Sequence, residues 1–350
     1  VTLEPGAALT IAVAVATDRD PGGRAQAGAL LEAAPAYDAA RAAQEAAWAA
    51  FWRRSGIALA DAPLELAWYR NLYAHACHIP AGDAAQAPGL CANVPVDDSA
   101  PWHGVYTVNM NIQKMFLPAV WTNHPEWIDN YLGWLERLTP TFAYLCELIF
   151  GFPGIYSEHM LYPQWVPPHR ANIANTCGRA LCMVGWHGQP LWWRWQTTRD
   201  RAFLARAYRY FARAADFYAD YFDRFMADDN VIYPSVNLEG PLTRDFAANR
   251  DCATDLIIIP QALQWAITAA EALGVDAEKR ARWQAAQARI HPLRYGWLPD
   301  GRGAIADHGE ELAAGDEAMV PWTIFPGEYV DGDEPDGLAV GHVDGVRDQA

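Results

Sequence analysis

From about residue 62 onward the sequence offers almost nothing but helices and long irregular segments, and this limits the folds open to it. Apolar residues recur at three- and four-residue spacings across 62–77, 107–119, 125–137, 140–150, 178–197, 200–226, 252–273 and 276–289. Asp276 is placed to cap the last of these stretches, and Gly274 to end the one before it. Between them lie Pro-, Gly- and Trp-rich segments at 79–104, 151–177, 229–250 and 291–340. Segments of that length inside a compact domain are uncommon and are usually functional. No short repeat period is visible, which argues against a solenoid. Helices joined by alternating short and long connections predict a mainly α fold, an α/α toroid with its long loops gathered at one end around a cleft.

The first residues read differently. Leu9, Ile11, Val13 and Val15 alternate with small or polar residues after a Pro5-Gly6 turn, which predicts a strand. Ala- and Leu-rich stretches at 24–34 and 36–53 then predict helices. The expected organisation is therefore 1–20 as the end of a β domain, 21–60 as a helical linker, and 61–350 as the helical domain. Neither Val1 nor Ala350 reads as a natural terminus, so the expectation is a fragment truncated on its C-terminal side. Its flanking segments are then obligatory partners, and the lack of a signal-peptide pattern leaves the compartment open.

Composition excludes several functions. The chain is 52% hydrophobic and 19% charged, enough to bury a large core. A net charge of −16 repels phosphate backbones, so nucleic acid is not an expected partner. No apolar run reaches the roughly 18 residues of a membrane span, so no membrane partner is expected. The cysteines form no C-x-x-C pair, and His75, Cys77 and His78 have no second cluster to complete a tetrahedral site, so no metal is expected. The 16 tryptophans mostly suit a helical core, but flat rings also stack on sugar faces.

Four segments carry chemistry-bearing residues. Trp102 to Gln113 opens a helix with Asn109 and Asn111, amides able to orient a sugar hydroxyl or a water; capping is the ordinary alternative. Glu239 stands among apolar and aromatic residues at 231–241, surroundings that keep a carboxyl protonated as a general acid requires; a solvated loop Glu is the alternative. Asp255 begins an apolar helix, as a cap or as a substrate contact. Asp316 and Glu317 precede an aromatic, Pro-rich stretch, as surface charge or as a base. Inverting glycoside hydrolysis needs an acid and a base on opposite sides of the bond, roughly 6.5–9.5 Å apart.

In order along the chain, these segments resemble glycoside hydrolase family 95, the α-L-fucosidase group. WHGVYTVNMNIQKMFLPA at 102–119 resembles the family's Trp loop and Asn-x-Asn helix, whose asparagines position the attacking water. LWWRWQTTRDRAFL at 191–204 resembles a family helix pair, and YPSVNLEG at 233–240 resembles the loop bearing the general acid. Thr254-Asp255 resembles the start of the following helix. The resemblance implies an (α/α)6 six-hairpin barrel behind an N-terminal β-sandwich domain, and it leans towards an extracytoplasmic setting. There are departures. Pro88-Gly89-Leu90-Cys91-Ala92-Asn93 replaces a Gln-Gly-x-Trp-Asn stretch, and Glu158-His159-Met160 stands for a His-His-Asn sugar contact. Asp316-Glu317 replaces a His-rich segment ahead of Phe325-Pro326-Gly327.

The resemblance thus implies Glu239 as acid, a water held by Asn109 and Asn111, and Asp316 as base, with Glu317 next in line. Trp102, His103, Tyr106, Gln113, His159, Trp192 and Asp255 are the expected substrate contacts. The expected partner is an oligosaccharide or glycan, with no cofactor. The alternatives on the same residues are a phosphorylase or lyase on the same toroid, or a carbohydrate-binding relative that has lost its base.

Overall fold

The computed structural model describes residues 6–16, 22–79, 106–161, 180–235, 250–293, 295–297 and 303–305. Two compact units divide the chain, Val1–Asp61 and Ala62–Ala350.

The first unit contains helices α1 (Gly23–Glu32) and α2 (Tyr37–Trp52). Near the end of α2, Trp48 and Trp52 stack at 5.8 Å and Phe51 meets both edge-on. The strand expected at Leu9–Val15 is not formed. Residues 7–16 have no regular structure, and Leu9, Ile11, Val13 and Val15 are exposed. Alternation alone does not make a strand; it needs a partner to take its hydrogen bonds, and the described residues supply none.

The second unit is mainly helical: α3 (Ala62–His78), α4 (Asn111–Trp121), α5 (Trp127–Phe150), α6 (Cys182–Trp186), α7 (Gly188–Thr198), α8 (Arg201–Phe225), α9 (Ala253–Leu273) and α10 (Ala277–Gln287). Two short antiparallel pairs join them, β1 (Tyr106–Thr107) with β2 (Met160–Leu161), and β3 (Tyr295–Trp297) with β4 (Gly303–Ile305). Asp200 starts α8 by accepting from the backbone N–H groups of Ala202 (2.9 Å) and Phe203 (3.1 Å). Along α8 Phe203, Tyr210, Phe217 and Phe222 face the core, while Asp216, Asp220 and Asp223 meet Lys279 and Arg282 of α10. Gly274 ends α9 in the left-handed region at φ 75. Asp276 makes no cap; its carboxylate instead accepts from the Tyr208 hydroxyl at 2.5 Å.

Several boundaries differ from the sequence expectation. The stretches 125–137 and 140–150 form one helix, α5, because burial of its apolar face outweighs the helix-breaking tendency of Pro140. The single helix expected at 178–197 is interrupted at His187, since Pro190 has no N–H to give to the carbonyl of Trp186. By length and mean hydropathy α9 reaches the level of a membrane span, contrary to the composition reading. In this fold it is the central helix, in contact with α6, α8 and α10 and with most of its residues buried.

Close approach fixes one position in the α6–α8–α9 packing. The backbone N–H of Gly185 donates to the Tyr218 hydroxyl (2.9 Å), which donates to the carbonyl of Leu181 (2.9 Å). A Cβ on Gly185 would lie 2.6 Å from Tyr218 Oη and 2.7 Å from Ala262 Cβ. Gly-to-Ala in a helix ordinarily stabilises by about 0.5–1 kcal/mol; here Gly185→Ala is expected to destabilise by about 1–3 kcal/mol, as overpacking does. Urea unfolding of the two proteins decides the sign.

Candidate active site

The β1–β2 ladder joins two segments that are far apart in sequence. Tyr106 pairs with Leu161 and Thr107 with Met160, and the backbone N–H of Val108 donates to the carbonyl of His159 at 2.9 Å. The chain then turns at Met110, a non-glycine residue with φ 89, and α4 begins at Asn111 rather than at 107. Asn109 and Asn111 therefore flank a strained residue instead of occupying one helix, so helical spacing does not separate their faces. Such a conformation costs about 1–3 kcal/mol and is characteristic of functional segments.

Among the described residues, three buried polar atoms on this turn and its paired segment have no hydrogen-bond partner: Oδ1 of Asn109, Oε1 of Gln113 and Nδ1 of His159. Gln113 donates through Nε2 to the carbonyl of Val108 at 2.7 Å, which fixes Oε1 as its open acceptor. Asn109 is 5% exposed and Gln113 is fully buried, whereas Asn111 is half-buried. Burial lowers the pKa of His159 and so favours a neutral ring. Tyr106 packs its ring 5.4 Å from Trp134, and burial pushes its phenol up to about 12 against the opposing pull of Arg137. Buried orphan polar atoms cost roughly 1–3 kcal/mol each, and each calls for an explanation such as a ligand or an ordered water.

A second group of buried residues fixes the chain just before Glu239. Asp255, in the first turn of α9, is fully buried. Its Oδ1 accepts from the backbone N–H of Cys182 (2.9 Å), and its Oδ2 accepts from the Ser235 hydroxyl (2.6 Å). Ser235 Oγ in turn accepts from the backbone N–H of Cys252 at 2.9 Å. Asp251 adds a second tie: Oδ1 accepts from Ile232 N–H (2.7 Å) and Oδ2 meets His291 Nδ1 (2.7 Å). Tyr156 lies close enough to Asp255 and Glu158 for both charges to add to the burial that raises its pKa. The 155–161 segment thus stands between the α9 head and the β1–β2 ladder.

Behind that segment runs a buried hydrogen-bonded chain. Ser157 Oγ lies 2.8 Å from His187 Nε2, and His187 Nδ1 lies 3.0 Å from the Tyr131 hydroxyl. Ser157 also donates to the carbonyl of Glu158 at 3.0 Å. Phe142 stacks on the His187 ring at 5.6 Å, and Trp134 meets it edge-on. Desolvation pushes the His187 pKa down to about 3, so the imidazole is neutral at ordinary pH.

Among the expected site residues, Tyr106, Asn109, Asn111, Gln113 and His159 lie on segments that the β1–β2 ladder and the Gln113–Val108 bond hold side by side. Asp255 does not open onto them as a substrate contact; both of its carboxylate oxygens are engaged in holding chain segments. Trp192 is a packing residue of α7, 9% exposed, between Phe211 at 6.3 Å and Trp265 at 6.4 Å. Trp102, His103, Glu239 and Asp316 lie outside the described residues. Sequence reasoning missed Ser157, His187, Ser235 and Asp251. Only Asp251, two residues ahead of an apolar helix, gave a local signal. Among the described residues no three His, Cys, Asp or Glu side chains are grouped to hold a metal ion.

The model of the glycosyl hydrolase family 95 catalytic domain matches residues 91–314, well over half of the chain. The chain belongs to this family. Membership gives the reaction class, hydrolysis of a glycosidic bond. The matched stretch of this family 95 domain contains the whole β1–β2 site, Glu239 and Asp255, and stops just before Asp316. Comparison with curated proteins found no match.

The neutral His187 makes the fold acid-sensitive. The unfolded chain takes up a proton on His187 near pH 6.5, whereas the folded chain resists until about 3. Its share of stability is complete above about pH 6.5 and is lost as pH falls towards 3, by up to about 1.4 kcal/mol per pH unit. Urea unfolding at about pH 7 and about pH 5 is expected to show this loss, and His187→Gln is expected to flatten the difference.

Proposed function

We propose that this family 95 domain cleaves a terminal α-L-fucoside or a related L-sugar glycoside with inversion of configuration. Glu239 protonates the leaving glycosidic oxygen. A water held by Asn109 and Asn111, and deprotonated by Asp316, attacks the anomeric carbon from the opposite face. Gln113 and His159 take sugar hydroxyls, and Trp102, His103 and Tyr106 form one wall. Asp255 acts by positioning, since its bond to Ser235 fixes the chain four residues before Glu239. The complete domain is an (α/α)6 barrel behind a β-sandwich. The short connections α4–α5, α7–α8 and α9–α10, which alternate with long segments, support that architecture.

The observation that carries the reading is the set of unpartnered atoms on Asn109, Gln113 and His159. Asn109 Oδ1 and Gln113 Oε1 are acceptors, and the neutral His159 ring can offer Nδ1 as a third. Such a set is satisfied by a ligand rich in O–H donors, such as a sugar with its attendant water. The buried phenol of Tyr106 stays protonated and adds a donor.

The test is a panel of aryl α- and β-glycosides of L-fucose, L-galactose and L-rhamnose, with product configuration followed by NMR. Release of one sugar with inverted configuration is the expected result; retention, or no release by folded protein, overturns the proposal. Glu239→Gln is expected to lower kcat/KM by about 10²–10⁴ for poor leaving groups and to spare dinitrophenyl glycosides. Equal loss on both classes removes Glu239 as the acid.

A further inference from the structure

The helical unit contains a cationic cleft lined by three arginines, in contrast to the acidic charge of the chain as a whole. It lies between α5 and α8, has a volume of about 490 Å³, and includes Glu136 from α5 with Arg206, Arg209 and Arg213 from α8. Leu132 and Tyr210 close its floor. The three arginines follow helical spacing, so they line one face of α8. Arg206 is fixed: Nε and Nη2 reach the two oxygens of Glu136 at 2.9 and 2.5 Å.

Arg209 and Arg213 are different. Both are exposed, and among the described residues neither has an ion pair, a hydrogen bond or a ring contact. Every other described lysine or arginine from Arg194 to Arg289 has one. Arg194 pairs with Asp129, Lys279 with Asp216, Arg280 with Glu271, and Arg282 with Asp220 and Asp223. Arg201 donates to the carbonyl of Ala272, and Arg289 to Asn230. Arg199, Arg224 and Arg250 lie over aromatic rings. Carboxylates are plentiful in a chain of net charge −16, yet none among the described residues is paired with these two guanidinium groups. They stand one helical turn apart at the mouth of a cleft, free to donate together to one oxyanion.

We propose that this α5–α8 cleft is a second saccharide site, distinct from the β1–β2 site, and that it takes an acidic sugar. Arg209 and Arg213 bind its carboxylate or sulfate, the Arg206–Glu136 pair meets its hydroxyls, and Leu132 and Tyr210 floor the cleft. The volume falls within the range of small-ligand pockets. A free phosphate or sulfate ion would fill little of it, which favours a sugar-bearing anion. The proposal rests on family membership and on this cleft, and does not depend on the assignment of Glu239 or Asp316.

Calorimetric titration at low ionic strength tests it, using the wild-type chain and the Arg209→Gln/Arg213→Gln double variant. The probes are trigalacturonate, a sulfated carrageenan disaccharide, which has sulfate but no carboxylate, neutral maltotriose and inorganic sulfate. Wild type is expected to bind one of the two acidic saccharides, with affinity falling as salt is raised. The double variant is expected to bind it at least about tenfold more weakly, as loss of charge-assisted hydrogen bonds implies, and to keep its thermal midpoint and its aryl-glycoside turnover. The arm that binds tells carboxylate from sulfate. Equal binding by both proteins, binding to neither acidic saccharide, or sulfate ion binding as tightly as the saccharides overturns the proposal.

Discussion

The buried carboxylate of Asp255 is the interaction on which the site end of this domain depends. It accepts from a backbone N–H at the head of α6 and from the hydroxyl of Ser235, so one side chain ties the starts of two helices to a segment that otherwise has no regular structure. A fully buried charge is tolerated only when its lone pairs are taken, and both oxygens here are. Removing it would leave the Cys182 N–H and the Ser235 O–H without the acceptor they share in the same interior. The negative charge also sits at the N-terminal end of α6, though that helix is a single short turn, so the direct hydrogen bond matters more than any dipole. Asp251 repeats the device four residues earlier with Ile232 and His291, and this double tie sets where the chain enters the segment containing Glu239.

The other half of the site is held by different physics. Two residues of β-pairing join 106–107 to 160–161, and a ladder this short has little stability of its own. Aromatic packing and buried hydrogen bonds supply the rest. Tyr131 touches Phe116 of α4 at 4.9 Å, Tyr106 rests on Trp134, and His187 links Tyr131 to Ser157. Because that support is buried and hydrogen-bonded, the strained turn at Met110 and the open acceptors of Asn109 and Gln113 can persist. Strain and unsatisfied polar atoms are costly, and both are found here at one turn inside the stretch that the family model matches. Charge is arranged with the same division of labour: the α8–α10 seam is laced with ion pairs between exposed partners, worth little individually, while the α5–α8 side leaves two arginines open.

Much of this was legible in the residues. The helical periodicity of α8 and α9, the stop at Gly274 and the start at Asp200 are local facts that need no neighbours. The Asn-x-Asn segment, His159 and Glu239 were identified from residue type, order and resemblance, and the family match covers them. What local pattern misjudged has a common cause. The stretches 125–137 and 140–150 were read as two helices, but burial of the α5 face carries one helix across Pro140. Leu9 to Val15 was read as a strand because alternation was taken without a partner. Trp192 was read as a sugar platform because a tryptophan looks the same in sequence whether its faces meet ligand or core.

The sequence by itself therefore determined most of the helical segments, the family and the inventory of reactive groups, since these depend on short-range spacing and on residue chemistry. Only the tertiary structure decided which groups meet. It brought His159 beside Val108 across fifty intervening positions, turned Asp255 from a helix-start residue into the tie for Ser235, and made His187 a neutral, buried hub. Those outcomes follow from desolvation and hydrogen-bond satisfaction between distant segments, quantities that no stretch of sequence contains alone.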